Sequence, residues 1–343
     1  MAGDPITDRN SPEAWRRWAD IVQESWLCTT LARAVADDPE MLTRTAHAPL
    51  DQLPPNLLLG AVHYLLLGGA QHPVADWYLT VGGTRTDGDL YPAFRDFVAE
   101  HEAEVIELMR TRLVQTNEVR RSAFLYPAYV TVAAETGLPL AVIDAGTSAG
   151  FNLLFDRYAY SYSGATVGDP DSGLELTIDT RGTKPPMTPA PEVTWRVGLD
   201  QNPIDVTDPD VARWMEALVW GDQPERLRRL DAAIGVVLEV QPRVVAGDLL
   251  ATLPELIAEA PSDTALCVTH SFVAPYLSAE EHRDLDRLLI DASATRPLYR
   301  IGAEGDRLRD GTFLDLTVYE GTDPAHRQLA AIHHHGEWIE WTA

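Results

Sequence analysis

Apolar residues recur in two different rhythms along the 343-residue chain. From Ser11 to about Glu135 they fall at helical spacing, with almost no strand-like alternation. Ser11-Pro12 reads as an N-cap followed by a first-turn proline, opening a helix with Trp15, Trp18, Ile21 and Val22 on one side. Pro54-Pro55 precedes LLLGAVHYLLLGG, a mostly apolar helix that belongs in a core. Asp89 is placed to cap a long helix running to about Arg110. A further helix starts at Thr116 or Asn117, both cap-type residues, kinks at Pro127 and ends at Gly137.

The rhythm then changes to alternating strand and helix. Leu140 to Ile143 is a short apolar run that reads as a buried strand, ended by Asp144. Gly146 and Gly150 bracket a tight turn, and Phe151 to Tyr158 returns to helical spacing. Further strands are expected at Val193–Asp200, Arg243–Asp248, Ala265–Thr269 and Pro297–Ile301, with helices between them. His270-Ser271 ends the fourth of these five strands. Thr312–Tyr319 and Gln328–His335 read as a closing antiparallel pair. Residues 160–192 are rich in Gly, Pro, Asp and Thr, with one strand-like piece, Leu174–Asp179, and read as an insertion. The expected fold is therefore α/β. An all-helical cap over residues 1–125 precedes a Rossmann-like, mostly parallel sheet with a late antiparallel hairpin over residues 126–343.

Net charge is −25, from 27 basic and 52 acidic residues. That field repels nucleic acid and anionic membrane, leaving a small molecule as the expected partner. The longest apolar run, Leu57 to Gly69, is too short to span a bilayer. Cys28 and Cys267 form no disulfide framework or zinc spacing, and the polar N-terminus has no signal-peptide core; a cytoplasmic setting fits. In a strand, His333 and His335 share one face and His334 points the other way, so no metal site is expected there.

A strand, a glycine turn and a helix build ligand sites in parallel α/β sheets, because backbone N–H groups face an open crevice at the strand ends. Asp200 and Asp248 end the next two strands, and each alone also reads as a simple cap. His270 and Ser271 end the fourth strand, where a neutral imidazole can accept a proton. Just upstream of the sheet, QTNEVRR offers Gln115, Asn117, Glu118 and Arg121 as polar candidates; Arg121 has the fork geometry that suits a carboxylate.

With the Asp-x-Gly-x-x-x-Gly turn after the first strand and the acids in order, residues from Leu140 to the C-terminus resemble the class I S-adenosylmethionine-dependent methyltransferase fold. The whole chain, with its helical front half, also resembles an uncharacterised bacterial family of unknown function. The first resemblance implies that Asp144, Gly146, Ser148, Gly150 and Asn152 cradle the amino-acid end of S-adenosylmethionine. It implies Asp200 at the ribose and Asp248 with Leu249 at the adenine. About 50 residues separate Gly150 from Asp200, more than one βα unit, which leaves Asp179 as a rival for the ribose. His270, Glu118 and Glu304 are the candidate bases, and Gln115, Asn117, Arg121 and Ser271 the candidate substrate contacts. The implied activity is methyl transfer to a small molecule enclosed by the cap.

Gly146-Thr147-Ser148-Ala149-Gly150 also matches the G-x-S-x-G nucleophile elbow, so a serine hydrolase using Ser148 is the alternative. That fold needs strands before its nucleophile, and the sequence there reads as helical. A non-catalytic cofactor-binding or partner protein is the third reading.

Overall fold

The computed structural model describes residues 9–115, 118–306 and 311–343. Its helices in chain order are α1 (Pro12–Ile21), α2 (Trp26–Ala36), α3 (Pro39–Thr45), α4 (Pro54–Leu67), α5 (Tyr91–Glu100), α6 (Glu102–Thr111), α7 (Arg121–Thr136), α8 (Pro209–Ala217), α9 (Pro224–Val240), α10 (Leu249–Glu259) and α11 (Ala279–Ala292). The strands are β1 (Leu140–Ala145), β2 (Ala159–Tyr162), β3 (Ala165–Gly168), β4 (Glu175–Gly182), β5 (Val193–Asp200), β6 (Val244–Ala246), β7 (Ala265–Ser271), β8 (Leu298–Asp306), β9 (Gly311–Tyr319), β10 (Ala325–Ile332) and β11 (Trp338–Trp341). Among the described residues no helix is long and apolar enough to cross a membrane.

The described residues up to 115, with 207–231, form one compact unit. It is helical. Ser11 caps α1 by accepting the Ala14 N–H at 3.1 Å, with Pro12 in the first turn, as the pattern predicts. Trp15, Leu31, Leu58, Phe94, Phe97 and Trp214 are among its core, each large side chain contributing about 1.5–3 kcal/mol on burial. The single helix expected from Asp89 to Arg110 is two helices. They break at His101, whose ring lies against Phe97 with centroids 4.5 Å apart and whose Nδ1 bonds Glu104 at 2.9 Å.

Residues 207–231 join this unit although their sequence lies within the expected sheet domain. The reason is visible at His63, buried in α4. Its Nδ1 bonds the carbonyls of Ala217 (3.1 Å) and Val219 (2.9 Å), while Nε2 bonds Thr80 Oγ1 at 2.8 Å. Burial pushes this imidazole down to about 4. The boundary between units falls at 116/117 rather than near 125, so α7 lies wholly in the second unit.

The second unit comprises the described residues of 117–206 and 232–343. Its eleven-stranded sheet has the order β3-β2-β4-β11-β10-β9-β8-β7-β1-β5-β6. The five strands expected to be parallel are parallel: β6, β5, β1, β7 and β8 lie side by side. Numbered by appearance their order is 3-2-1-4-5, the doubly wound arrangement in which the chain reverses direction of growth at β1. β9, β10 and β11 continue the sheet as an antiparallel meander.

Residues 160–192 do more than interrupt the sheet. Leu174, Leu176 and Ile178 alternate buried with exposed Glu175 and Thr177, so β4 is a half-buried strand; it pairs with β11, and β2 and β3 follow outward. Pro127 stays inside α7, where the Ala123 carbonyl it leaves without an N–H accepts the Tyr162 hydroxyl at 2.7 Å. After β1 the expected α-helix is a short 3-10 segment, Asn152–Arg157, because Leu153, Leu154 and Phe155 are all buried in succession rather than along one helical face.

Candidate functional site

The turn after β1 is built by hydrogen bonds to the neighbouring strand. Leu199 O accepts the N–H groups of Gly146 (2.7 Å) and Thr147 (3.3 Å), and Gly150 N–H donates to Thr147 O at 2.9 Å. Gly146, Ser148 and Gly150 all have positive φ (74°, 54° and 84°), which L side chains rarely adopt. Asp144 is 4% exposed and accepts the Thr147 hydroxyl at 2.8 Å. Burial pushes its carboxyl up to about 7; the Thr147 bond acts against that and the charge of Asp200 adds to it. Ser148 Oγ is buried with no hydrogen-bond partner among the described residues. A hydrolase nucleophile needs a histidine within hydrogen-bond reach, and Ser148 has none.

Asp200 ends β5 with its Oδ2 accepting the Ser148 N–H and its Oδ1 the Asn202 N–H, both at 2.8 Å. Asp248 follows β6 as the N-cap of α10, accepting the Ala251 N–H at 3.0 Å, and Leu249 is the first residue of that helix. The bland cap reading of both acids is thus correct as far as it goes. They nevertheless lie with Asp144 at the C-terminal ends of three adjacent strands, β1, β5 and β6. Asp179 lies on β4 opposite Trp338 of β11, six strand spacings from β1 and about 29 Å away at ~4.8 Å each. The sheet order removes it from the crevice.

His270 lies inside β7, not after it, and the structure corrects its role as the leading base. Its Nε2 accepts from Arg300 Nε at 2.8 Å, and Arg300 can only donate. The proton is therefore on Nδ1, which donates to Glu304 Oε1 at 2.6 Å. Both ring nitrogens are committed. Burial lowers the imidazole below its ordinary value; the Glu304 bond opposes this and the Arg300 charge reinforces it. Arg300 continues to Asp286 (2.7 Å), which also accepts the Tyr319 hydroxyl at 3.0 Å. Gly302 makes room for this arrangement, since a Cβ there would sit 3.0 Å from His270 Cε1.

Glu304 owes its position to β8, which runs to Asp306 instead of stopping near Ile301. Its Oε1 accepts a second bond, from Val273 N–H at 3.0 Å, while Oε2 is buried with no partner among the described residues. The Val273 segment folds over the glycine turn: a Cβ on Gly146 would lie 2.4 Å from Val273 Cγ2, although Gly146 itself stays exposed. Phe272 has φ 58°, and Ser271 before it is half-buried.

The start of α7 packs on the same region. Arg121, 8% exposed, sets its guanidinium 4.2 Å over the Phe272 ring and donates from Nε to His334 O at 3.3 Å. Ser122 Oγ donates to Asn152 Oδ1 at 2.9 Å. Glu118 is buried and accepts the Arg120 N–H at 3.2 Å, a turn-capping role that corrects its reading as a base. Asn117 lies outside the described residues, and Gln115 belongs to the helical unit. β10 ends at Ile332, so His333–His335 form a turn with rings tilted against one another, centroids 4.1–6.0 Å apart, and no strand face to share.

Sequence reasoning missed Val273, Phe272, Arg300 and Arg120. Gly302 inside a strand was the one available signal, marking a close approach. Residues 13–341 match the model of a family described as "Uncharacterized protein conserved in bacteria (DUF2332)", and the chain belongs to that family. No curated protein matches it.

Proposed function

We propose that this member of the bacterial family binds S-adenosylmethionine at the C-terminal ends of β1, β5 and β6 and transfers its methyl group to a small molecule. One observation carries the reading: Asp144, Asp200 and Asp248 end three adjacent parallel strands, beside a glycine turn, at the strand where the sheet order reverses. The residues fit such a group at Ser148, whose buried hydroxyl lacks a partner among the described residues, and at Gly146, which remains exposed. Each Asp200 oxygen accepts one backbone N–H and keeps a second lone pair for a ribose hydroxyl. Asp248 is exposed, and its Oδ2, which accepts from Gln201 Nε2 at 3.4 Å, keeps a lone pair toward the adenine amino group.

When bound, the cofactor supplies an electrophilic methyl on a sulfonium. The protein's part is to align the acceptor, exclude water and, for a protonated acceptor, hold its proton. Glu304 Oε2 takes that proton. It is buried without a hydrogen-bond partner among the described residues, and His270 holds the opposite oxygen in place. Calorimetry with S-adenosylmethionine and S-adenosylhomocysteine tests the reading. Heat is expected for both, reduced in Asp200→Ala and unchanged in Asp179→Ala. Absence of heat and of a thermal shift at millimolar ligand overturns it.

A further inference from the structure

The chain carries 27 basic residues among 52 acidic ones, and its arginines find carboxylates readily: Arg196 with Asp156 at 2.6 Å, Arg300 with Asp286 at 2.7 Å, Arg327 with Glu135 at 2.5 Å. Arg120 has no carboxylate within ion-pair distance among the described residues, and its Nε is buried without a hydrogen-bond partner there. A buried N–H on a charged group with no acceptor is costly, and Arg120 as a residue is only half-buried, so its guanidinium can meet an acceptor from outside the chain.

The stem of Arg120 has little freedom to carry the guanidinium away. Gly336 (φ 72°) packs directly on it; a Cβ there would lie 2.6 Å from Arg120 O and 3.0 Å from Arg120 Cγ. The next residue, Arg121, is buried against Phe272, immediately after β7, and bonds the carbonyl of His334. Arg120 is thereby tied to the strand ends of the site, with the mutually tilted imidazoles of His333, His334 and His335 along the turn that holds Gly336.

We infer that Arg120 receives an oxyanion, a carboxylate or a phosphate, carried by the acceptor molecule. The inference rests on the methyl-transfer reading only in naming that molecule as the acceptor; the oxyanion site itself is independent of it. A guanidinium presents parallel N–H donors that match two oxygens of either group, and such charge-assisted bonds are about twice as strong as neutral ones.

The test uses the whole chain without cofactor, at low salt, with benzoate and phenyl phosphate as probes and benzamide as the neutral control. By calorimetry at least one oxyanion should bind roughly tenfold or more tightly than benzamide. The better of the two identifies the source. Arg120→Gln should abolish that preference while S-adenosylhomocysteine binds as in the wild type. As a second measurement on the unaltered chain, the preferred oxyanion should protect Arg120 from phenylglyoxal modification and benzamide should not. Equal binding of all three probes by the wild type, an unchanged preference in Arg120→Gln, or equal protection by benzamide overturns the proposal. Oxyanion preference without any S-adenosylhomocysteine heat would instead overturn the cofactor and leave this site standing.

Discussion

Replacing Asp144 with asparagine separates the cost of burying this carboxyl from its use. Asp144 is 4% exposed, and its carboxyl is pushed from 3.8 up to about 7, chiefly by burial. The folded protein therefore holds a proton on Asp144 between about pH 4 and 7 that the unfolded chain has released. Stability from this group is full below the unfolded value and is lost as pH rises through the folded one. A shift of about 3 units corresponds to about 4 kcal/mol of penalty above pH 7. Asparagine keeps an oxygen for the Thr147 hydroxyl and has no charge to bury. Asp144→Asn should therefore be more stable than the wild type by about 2–4 kcal/mol at pH 8, with the difference vanishing near pH 4. Urea denaturation of both proteins across this range measures it. His63, pushed down to about 4, loses stability as pH falls below 6.5, but it is common to both and cancels. The same variant should bind S-adenosylhomocysteine more weakly, since the charge that burdens the fold is the one offered to the ligand's ammonium. A variant no more stable at pH 8, or a gain that does not vary with pH, refutes the reasoning.

His270→Ala should cost about 3 kcal/mol in urea denaturation, because it strands Arg300 Nε and leaves Glu304 Oε1 with only the Val273 N–H in a largely buried network. Unchanged stability with a 10²- to 10⁴-fold rate loss would restore His270 as a free base. Gly146→Ala should cost about 1–2 kcal/mol for its left-handed backbone and a further 1–3 or so for overlap with Val273. In a Val273→Ala background only the first part should remain, and equal costs in both backgrounds would show that Val273 does not cover the turn.

Local pattern was enough for much of the fold. The helical front half, the N-cap at Ser11, the five parallel strands and the strand and glycine turn at Gly146 all follow from spacing and cap chemistry, which act over a few neighbouring residues. The same local view placed Asp144, Asp200 and Asp248 at strand ends. It could not order the strands, and the order alone puts Asp200 beside Ser148 and sends Asp179 to β4 beyond the meander. Within residues 160–192 the alternation shows only the strand that is β4, because β2 and β3 are four residues each, shorter than a periodicity can register. His270, Glu304 and Arg300 are 30 or more residues apart or on opposite sides of a glycine, and no spacing rule links them. What the sequence determines by itself is which segments are strands and helices and which polar residues stand at their ends, because hydrophobic period and capping are local. Which of those residues keep an open valence is decided by the tertiary structure. Pairing across the sheet consumed both nitrogens of His270 and left Glu304 Oε2 and Ser148 Oγ unpartnered, and packing against Gly336 held Arg120 in place.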